Sequence, residues 1–213
     1  MTSDSLVIAP FVAERLSVKD LDHDVWTSLE PISITHLWSG AAARPERHAE
    51  ARTCWTDEQL LVRFDCRQHE PLVVSPKPIT DRKTIGLWDR DVCEVFLAPD
   101  AANPWSYFEF EAAPTGEWID LGLKVTPEGR VTDWEYQSNM TTAARIEEQS
   151  LVITIGIPWS DSIPKPQQGD QWRANFFRCI SLDPEERYLA WRPTYAPEPN
   201  FHVPDAFGCL CFV

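Results

Sequence analysis

The chain has 213 residues, of which 19 are Lys or Arg and 33 are Asp or Glu, for a formal net charge of −14. An acidic chain without a basic cluster lacks the electrostatic footprint that holds phosphate backbones or anionic lipid, so neither nucleic acid nor membrane is an expected partner. Hydrophobic residues make up 43%, too many for a disordered chain, and no apolar run nears the roughly 18–20 residues that span a bilayer.

The opening stretch MTSDSLVIAPFVAERLSVKD carries neither a basic segment leading into a long apolar one nor a small-residue cleavage site, and the expectation is a cytoplasmic protein. Residues 12–21 carry a pattern compatible with a short turn of helix. Strand signals follow at 32–38, 50–55 and 59–66. In the last of these Leu60, Val62, Phe64 and Cys66 share one face and Leu61, Arg63 and Asp65 the other, the period of a half-buried strand. Residues 91–98 form a nearly continuous apolar run. Residues 106–113 alternate again, with Phe108, Phe110 and Ala112 on one side and Tyr107, Glu109 and Glu111 on the other. Further strands are expected at 117–125, 142–147, 150–158, 172–181, 187–191 and 207–213, with a second candidate helical turn at 159–163. All are bounded by Pro, Gly, Asp or Asn clusters.

About eleven strands at this spacing describe an all-β fold, a sandwich or barrel with little helix. Ten Trp, ten Phe and 18 Pro agree with that class, because aromatic side chains suit pleated surfaces and proline interrupts helices. The Pro-rich stretches 71–78 and 193–204 read as ordered loops, and residues 1–213 as a single domain. Six scattered cysteines in strand-like segments read as small buried thiols. The net charge favours a soluble monomer.

Two regions combine aromatic and polar residues. In the first, a loop bearing Trp88 enters an apolar strand that holds Glu94 on the face of Val92 and Phe96. A lone buried carboxylate is costly, so Glu94 must protonate, face a polar groove, or pair with an arginine such as Arg173 or Arg178. The second runs from Arg187 through Asn200, Phe201 and His202 to Gly208. Such a loop either forms an aromatic lid over the end of the sandwich or presents a sugar site, since pyranose rings lay flat C–H faces on aromatic rings and offer hydroxyls to polar partners at the edge. The remaining histidines, His23, His36, His48 and His69, lack metal-ligand spacing.

With these regions in place, the sequence resembles carbohydrate-binding module family 9. The ordered pieces are Asp24-Val25-Trp26, the strand closing on Asp65, the set Trp88, Asp91, Glu94 and Phe96, then Glu109-Phe110-Glu111 with Pro114 and Gly116. Ile155-Gly156-Ile157-Pro158, Gly169 to Asn175, and Trp191, Phe201, His202, Phe207 and Gly208 complete it. The resemblance implies an antiparallel, jelly-roll-like β-sandwich and a non-catalytic module that clamps a terminal sugar of a xylan or cellulose oligosaccharide between two aromatics. Trp88 matches the first clamp residue and Phe201 the second, where xylanase-linked members carry Trp. Glu94 matches the sugar-binding carboxylate and Arg187 and Asn200 the polar ring. Glu109, Glu111 and His202 complete the candidate carbohydrate-binding set, the two glutamates standing where other members place different polar residues. Some members of the family bind structural calcium, to which Asp65 and the cluster Asp20, Asp22 and Asp24 could contribute oxygens, the alternative being a solvated acidic patch.

Two other readings stay open. One is a glycoside hydrolase or lyase using two of Glu94, Glu109, Glu111 and Asp91, because residues i and i+2 on a strand face approach the spacing of an inverting pair. The other is a haem-binding electron-transfer domain of related fold, with Met140 and His202 as ligands.

Overall fold

The computed structural model describes residues 5–213. Fourteen strands follow in chain order: β1 (Leu6–Ala9), β2 (Ile32–Ile34), β3 (His36–Leu37), β4 (Ala49–Trp55), β5 (Gln59–Arg67), β6 (Val92–Ala98), β7 (Ser106–Ala112), β8 (Trp118–Thr126), β9 (Gly129–Asp133), β10 (Thr141–Ile146), β11 (Ser150–Pro158), β12 (Gln171–Cys179), β13 (Tyr188–Ala190) and β14 (Gly208–Phe212). They form two sheets, and the protein is an all-β sandwich. The first sheet has nine strands, in the order β1-β14-β12-β6-β7-β8-β9, with β13 and β3 joined to the side of β12. The second has the order β10-β11-β5-β4-β2. All pairings are antiparallel except β1 with β14.

Alternation along the central strands produces three apolar layers. Val95 and Leu97 of β6, Phe110 and Ala112 of β7 and Phe176 of β12 meet Leu60, Val62 and Phe64 of β5 and Ile153 and Ile155 of β11 in the core between the sheets. The other face of the larger sheet carries a second cluster, with Phe96, Tyr107, Leu121, Leu123 and Phe177 under Leu87, Phe201 and Phe207. A third small cluster lies outside the smaller sheet, where Leu16, Val18 and Trp26 cover Cys54 and Leu61. The six cysteines are free thiols, and five of them are buried.

Three local expectations are corrected. Residues 12–21 form no helix: Leu16 and Val18, two positions apart, both face the sheet, and the segment lies across it as a strap. Among the described residues the one α-helix is instead α1 (Val25–Ser28), anchored by the buried Trp26. Residues 159–163 make a turn rather than a helix, with Ser160 N donating to Ile163 O at 2.8 Å. The strand expected over 32–38 divides at Thr35, because β2 pairs with β4 in one sheet and β3 with β13 in the other. Two strands, β1 and β9, lie where no strand was expected.

One buried ion pair fixes the edge of the larger sheet near β9. Lys83 Nζ lies 2.7 Å from Asp120, whose side chain is 1% exposed. Asp120 Oδ2 also accepts bonds from the backbone and hydroxyl of Ser138 at 2.6 and 2.7 Å. The same ammonium donates to the carbonyls of Asp120 at 2.9 Å and of Tyr136, so it ties the loop after β9 to β8. Lys83→Met leaves a buried carboxylate without its countercharge and is expected to cost about 3–5 kcal/mol. Urea denaturation of the variant checks this, and a loss below about 1 kcal/mol would mean that the Ser138 bonds suffice alone.

Candidate functional site

The outer face of the larger sheet holds a cavity of about 390 Å³. Strand register builds its floor. Glu94 on β6 stands directly opposite Glu111 on β7, and Glu109 follows two residues along β7 on the same face, opposite Phe96. All three side chains are buried, at 3%, 0% and 3% exposure for Glu94, Glu111 and Glu109. One carboxyl oxygen from each lies within 4.8 Å of the others. Glu94 accepts a bond from Cys179 Sγ at 3.0 Å, whereas both oxygens of Glu111 and Oε2 of Glu109 receive no hydrogen bond from outside the cluster, where Glu109 and Glu111 bond to each other through a proton.

Burial pushes all three carboxyls above their ordinary range, and their mutual repulsion adds to it at Glu94 and Glu111. Glu94 is raised to about 8, by desolvation first and then by the charge of Glu109. The cluster therefore holds protons near neutrality.

The walls come from four separate segments. Gly86, at φ +80°, lets the chain enter the tight turn Leu87–Asp89 that carries Trp88; that dihedral is the left-handed region glycine occupies without a Cβ penalty. Leu87 is buried beneath the turn, and the Arg187 guanidinium donates to the Trp88 carbonyl. The β8–β9 hairpin and the loop after it contribute Leu121, Leu123, Arg130, Thr132 and Trp134. Trp134 is 45% exposed, with its ring centroid 6.2 Å from that of Trp88 at an interplanar angle of 46°. Tyr188 and the stretch Pro199 to His202 close the remaining side.

Within that stretch, Asn200 Oδ1 accepts from the His202 backbone at 3.0 Å. His202 Nδ1 shares a 2.9 Å hydrogen bond with the Tyr107 hydroxyl and lies 3.9 Å from Glu109 Oε2. Burial, followed by the charge of Arg130, pushes the imidazole down to about 3, so it is neutral.

Seven of the eight residues singled out from the sequence thus line this one cavity: Trp88, Glu94, Glu109, Glu111, Asn200, Phe201 and His202. Arg187 stands behind the Trp88 turn, 3.7 Å from Asp89 and with its guanidinium 5.0 Å from the Tyr188 ring centroid. Phe201 is no free clamp. One of its faces stacks on Phe177 at 3.9 Å and 16°, Tyr188 meets it edge-on at 5.5 Å, and it is 7% exposed. The loop is thus an aromatic lid against Phe177 and at the same time lines the polar cavity.

Neither Arg173 nor Arg178 pairs with Glu94. Arg178 projects to the inner face and binds Gln68 Oε1 at 2.6 Å, and Arg173 is spent on the Phe207 carbonyl. Asp91, a candidate acid, is absent from the cavity lining; its oxygens receive the backbone amides of Ser181 and Val73 at 2.7 and 3.2 Å. Met140 packs in the inter-sheet core while His202 lies on the outer face, so the two cannot ligate one haem.

The acidic residues proposed for calcium do not converge either. Asp65 is bound by Arg52 at 2.9 Å and Arg63 at 2.6 Å, Asp22 pairs with Arg145 at 2.8 Å, Asp20 Oδ2 accepts from the Ser17 amide at 2.7 Å, and Asp24 begins α1 without a side-chain cap bond. They do not fit a calcium cage.

Arg130, Thr132 and Trp134 were missed as site residues. The sequence RVTDW has no alternation of its own, but the turn residues Pro127 and Glu128 and the strand-opening Gly129 precede it. That signal marks a hairpin returning along β8.

Fold and cavity define a β-sandwich with a polar, aromatic-walled pocket on one sheet face. The model of carbohydrate-binding family 9 matches residues 26–212, and the chain belongs to that family. It is 25% identical over 186 residues to a protein of the fungus Arthroderma benhamiae named as an extracellular protein, covering 80% of this chain and 81% of that one. Its fold is similar to that of a provisionally named carbohydrate-binding protein from Bacteroides uniformis, with a TM-score of 0.76, 18% identity, and coverage of 98% and 99% of the two chains. It is also similar to a family 9 module from Caldicellulosiruptor kristjanssonii in complex with glucose, with a TM-score of 0.67, 15% identity, and coverage of 98% and 95%. A structure of such a module from the same organism with cellotriose gives a TM-score of 0.63, 16% identity, and coverage of 97% and 93%.

The carboxyl cluster makes stability depend on pH. A carboxyl whose folded pKa is raised favours folding fully below its unfolded pKa, and that contribution is lost as pH rises through the folded value. For Glu94 the window runs from its ordinary 4.5 up to about 8. In the presence of a chelator, the melting temperature is expected to fall between pH 5 and pH 8.5. Glu111→Gln, which removes one charge from the cluster, is expected to be more stable than the parent at the upper pH by at least about 1 kcal/mol, near the worth of one pK unit. Equal stabilities of parent and variant across that range would show that the cluster costs the fold nothing.

Proposed function

We propose that the cavity binds the terminal unit of a neutral oligosaccharide. The observation that carries the reading is the juxtaposition of two indole walls, the half-buried Trp88 and the exposed Trp134, with a buried floor of carboxyls, three of whose oxygens receive no donor from outside the cluster. A pyranose fits both demands, since its C–H face lies on indole while its hydroxyls donate to, and accept from, protonated and ionised carboxyls. Trp134 takes the role that the sequence reading gave to Phe201, and Tyr188 adds a third ring. Asn200, Arg130 and His202 stand at the rim for outer hydroxyls, with Arg187 holding the Trp88 turn. A volume of about 390 Å³ is at the small end of ligand pockets, which favours one sugar unit inside and the rest of a chain leading away.

The glucose and cellotriose complexes of the Caldicellulosiruptor modules support glucose-based oligosaccharides as the first ligands to test, with xylose-based ones beside them. Hydrolysis is a weaker fit. The three carboxyls project from one sheet face, so a sugar resting on them meets acids from one side, whereas glycosidases flank the scissile bond with their pair.

The test is titration calorimetry of the protein with glucose, cellotriose and xylotriose. Saturable binding is expected, and Trp88→Ala should weaken it by roughly 30-fold, the usual penalty for removing a buried aromatic anchor. Trp134→Ala should weaken it by a similar factor with the fold intact. Unchanged affinity in both variants would remove the cavity from sugar recognition.

A further inference from the structure

We propose that Glu94, Glu109 and Glu111 form a binding site for one hard divalent cation of the calcium, manganese or magnesium kind at the floor of the cavity. Backbone register aligns the three groups: Glu94 and Glu111 are a directly opposed pair, and Glu109 shares their face. Among the described residues, this is the group of three acidic, histidine or cysteine side chains whose ligand atoms lie within 4.8 Å of one another. Clustering alone would mean little, but Glu111 is fully buried, borders the open cavity and receives no hydrogen bond from any group outside the cluster, and Glu109 Oε2 is in the same condition. Buried polar atoms are ordinarily bonded, so these three oxygens stand ready for a ligand from the cavity.

Charge selects the valence. Once a cation displaces their protons the three carboxyls carry three negative charges, and Arg130 is the basic side chain lining the cavity, since Arg187 is held by the Trp88 carbonyl and faces Asp89 at 3.7 Å. One arginine and one monovalent ammonium leave a deficit, whereas one arginine and one divalent ion balance the three. Donor type selects hardness. All three ligands are oxygens, the set preferred by calcium, magnesium and manganese over softer metals. His202 is engaged with Tyr107, and Cys179 already donates its thiol proton to Glu94.

Three carboxylates leave part of a six- to eight-oxygen shell open, and that part faces the cavity, where water would fill it. If the cavity also binds sugar, as proposed above, a pair of hydroxyls fills it instead and the cation joins ligand to floor. Metal uptake itself does not depend on the sugar reading.

The experiment uses the full chain, stripped with a chelator and then dialysed free of it. Calcium, magnesium and manganese chlorides are titrated separately by calorimetry, and terbium luminescence is read through indole excitation, with Trp88 and Trp134 as the neighbouring donors. One-to-one uptake of at least one of the three cations is expected, with sensitised terbium emission that this cation displaces. Glu111→Gln, which keeps shape and loses charge, should weaken uptake at least tenfold, and Glu109→Gln likewise, while Asp22→Asn in the remote acidic patch should leave it unchanged. Circular dichroism verifies that the variants are folded. Absence of uptake up to about 10 mM, above the range of even weak calcium modules, or equal uptake by parent and Glu111→Gln, overturns the proposal. Repeating the cellotriose titration with and without the cation separates the two readings: sugar binding without metal uptake refutes only the cation site, and metal uptake without sugar binding supports it alone.

Discussion

Strands β6 and β7 face opposite environments on their two sides, and the architecture of the site follows from how they reconcile them. On the inner side Val95, Leu97, Phe110 and Ala112 fill the space between the sheets. On the outer side Glu94, Glu109 and Glu111 stand in the same two strands, equally removed from bulk water. A single-residue slip in either strand would exchange the two faces and drive carboxyls into the core, so packing of the sandwich holds the acidic cluster in register. Hydrophobic burial on one side thereby sustains an arrangement of like charges that would not assemble by itself.

The surroundings are fitted to that floor. Phe96 stacks with Tyr107 at 5.6 Å, meets Phe177 edge-on at 4.9 Å and lies 5.1 Å from His202, so one aromatic cluster supports the sheet and fixes the imidazole that borders Glu109. Asp91, two residues from the end of the Trp88 turn, ties that turn to the segments around Val73 and Ser181. Lys83 does the same for the loop that carries Trp134. Polar side chains that never enter the cavity therefore decide where its aromatic walls stand.

Much of this was legible in the chain. Alternation in 59–66 and 106–113 assigned the correct face to each residue, because side-chain direction in a strand is set by parity alone. Seven of the candidate residues meet in one cavity because β6, which follows the Trp88 turn and carries Glu94, pairs on one side with β7, which carries Glu109 and Glu111, and on the other with β12, whose partner β13 leads into residues 199–202. Other features depended on tertiary contacts that parity does not encode. Phe201 read as a free aromatic until Phe177 was found against its face. Arg173 and Arg178 read as equal partners for Glu94, although one lies at the far end of β12 and the other on its inner side. β9, exposed along most of its length, has almost no apolar pattern, and its contribution of Arg130, Thr132 and Trp134 comes from hairpin pairing with β8 rather than from any motif. The division of 32–38 between two sheets likewise reflects which partners lie on each side of Thr35.

The pairing of β1 with β14 joins Leu6–Ala9 to Cys209–Phe212, among the longest loop closures this chain can make. The floor of the cavity, by contrast, comes from β6, β7 and β8, which pair with their immediate successors. As the polypeptide leaves the ribosome, those hairpins are complete well before the segment 199–207 and the last strand emerge. Until then β12 lacks β14 along its first half, and the carboxyls lie open beside an unpaired edge of the kind that recruits other chains. Folding of this sandwich is therefore expected to end at the mouth of its own pocket, and a chain interrupted near its end would expose the binding floor and an adhesive strand edge together.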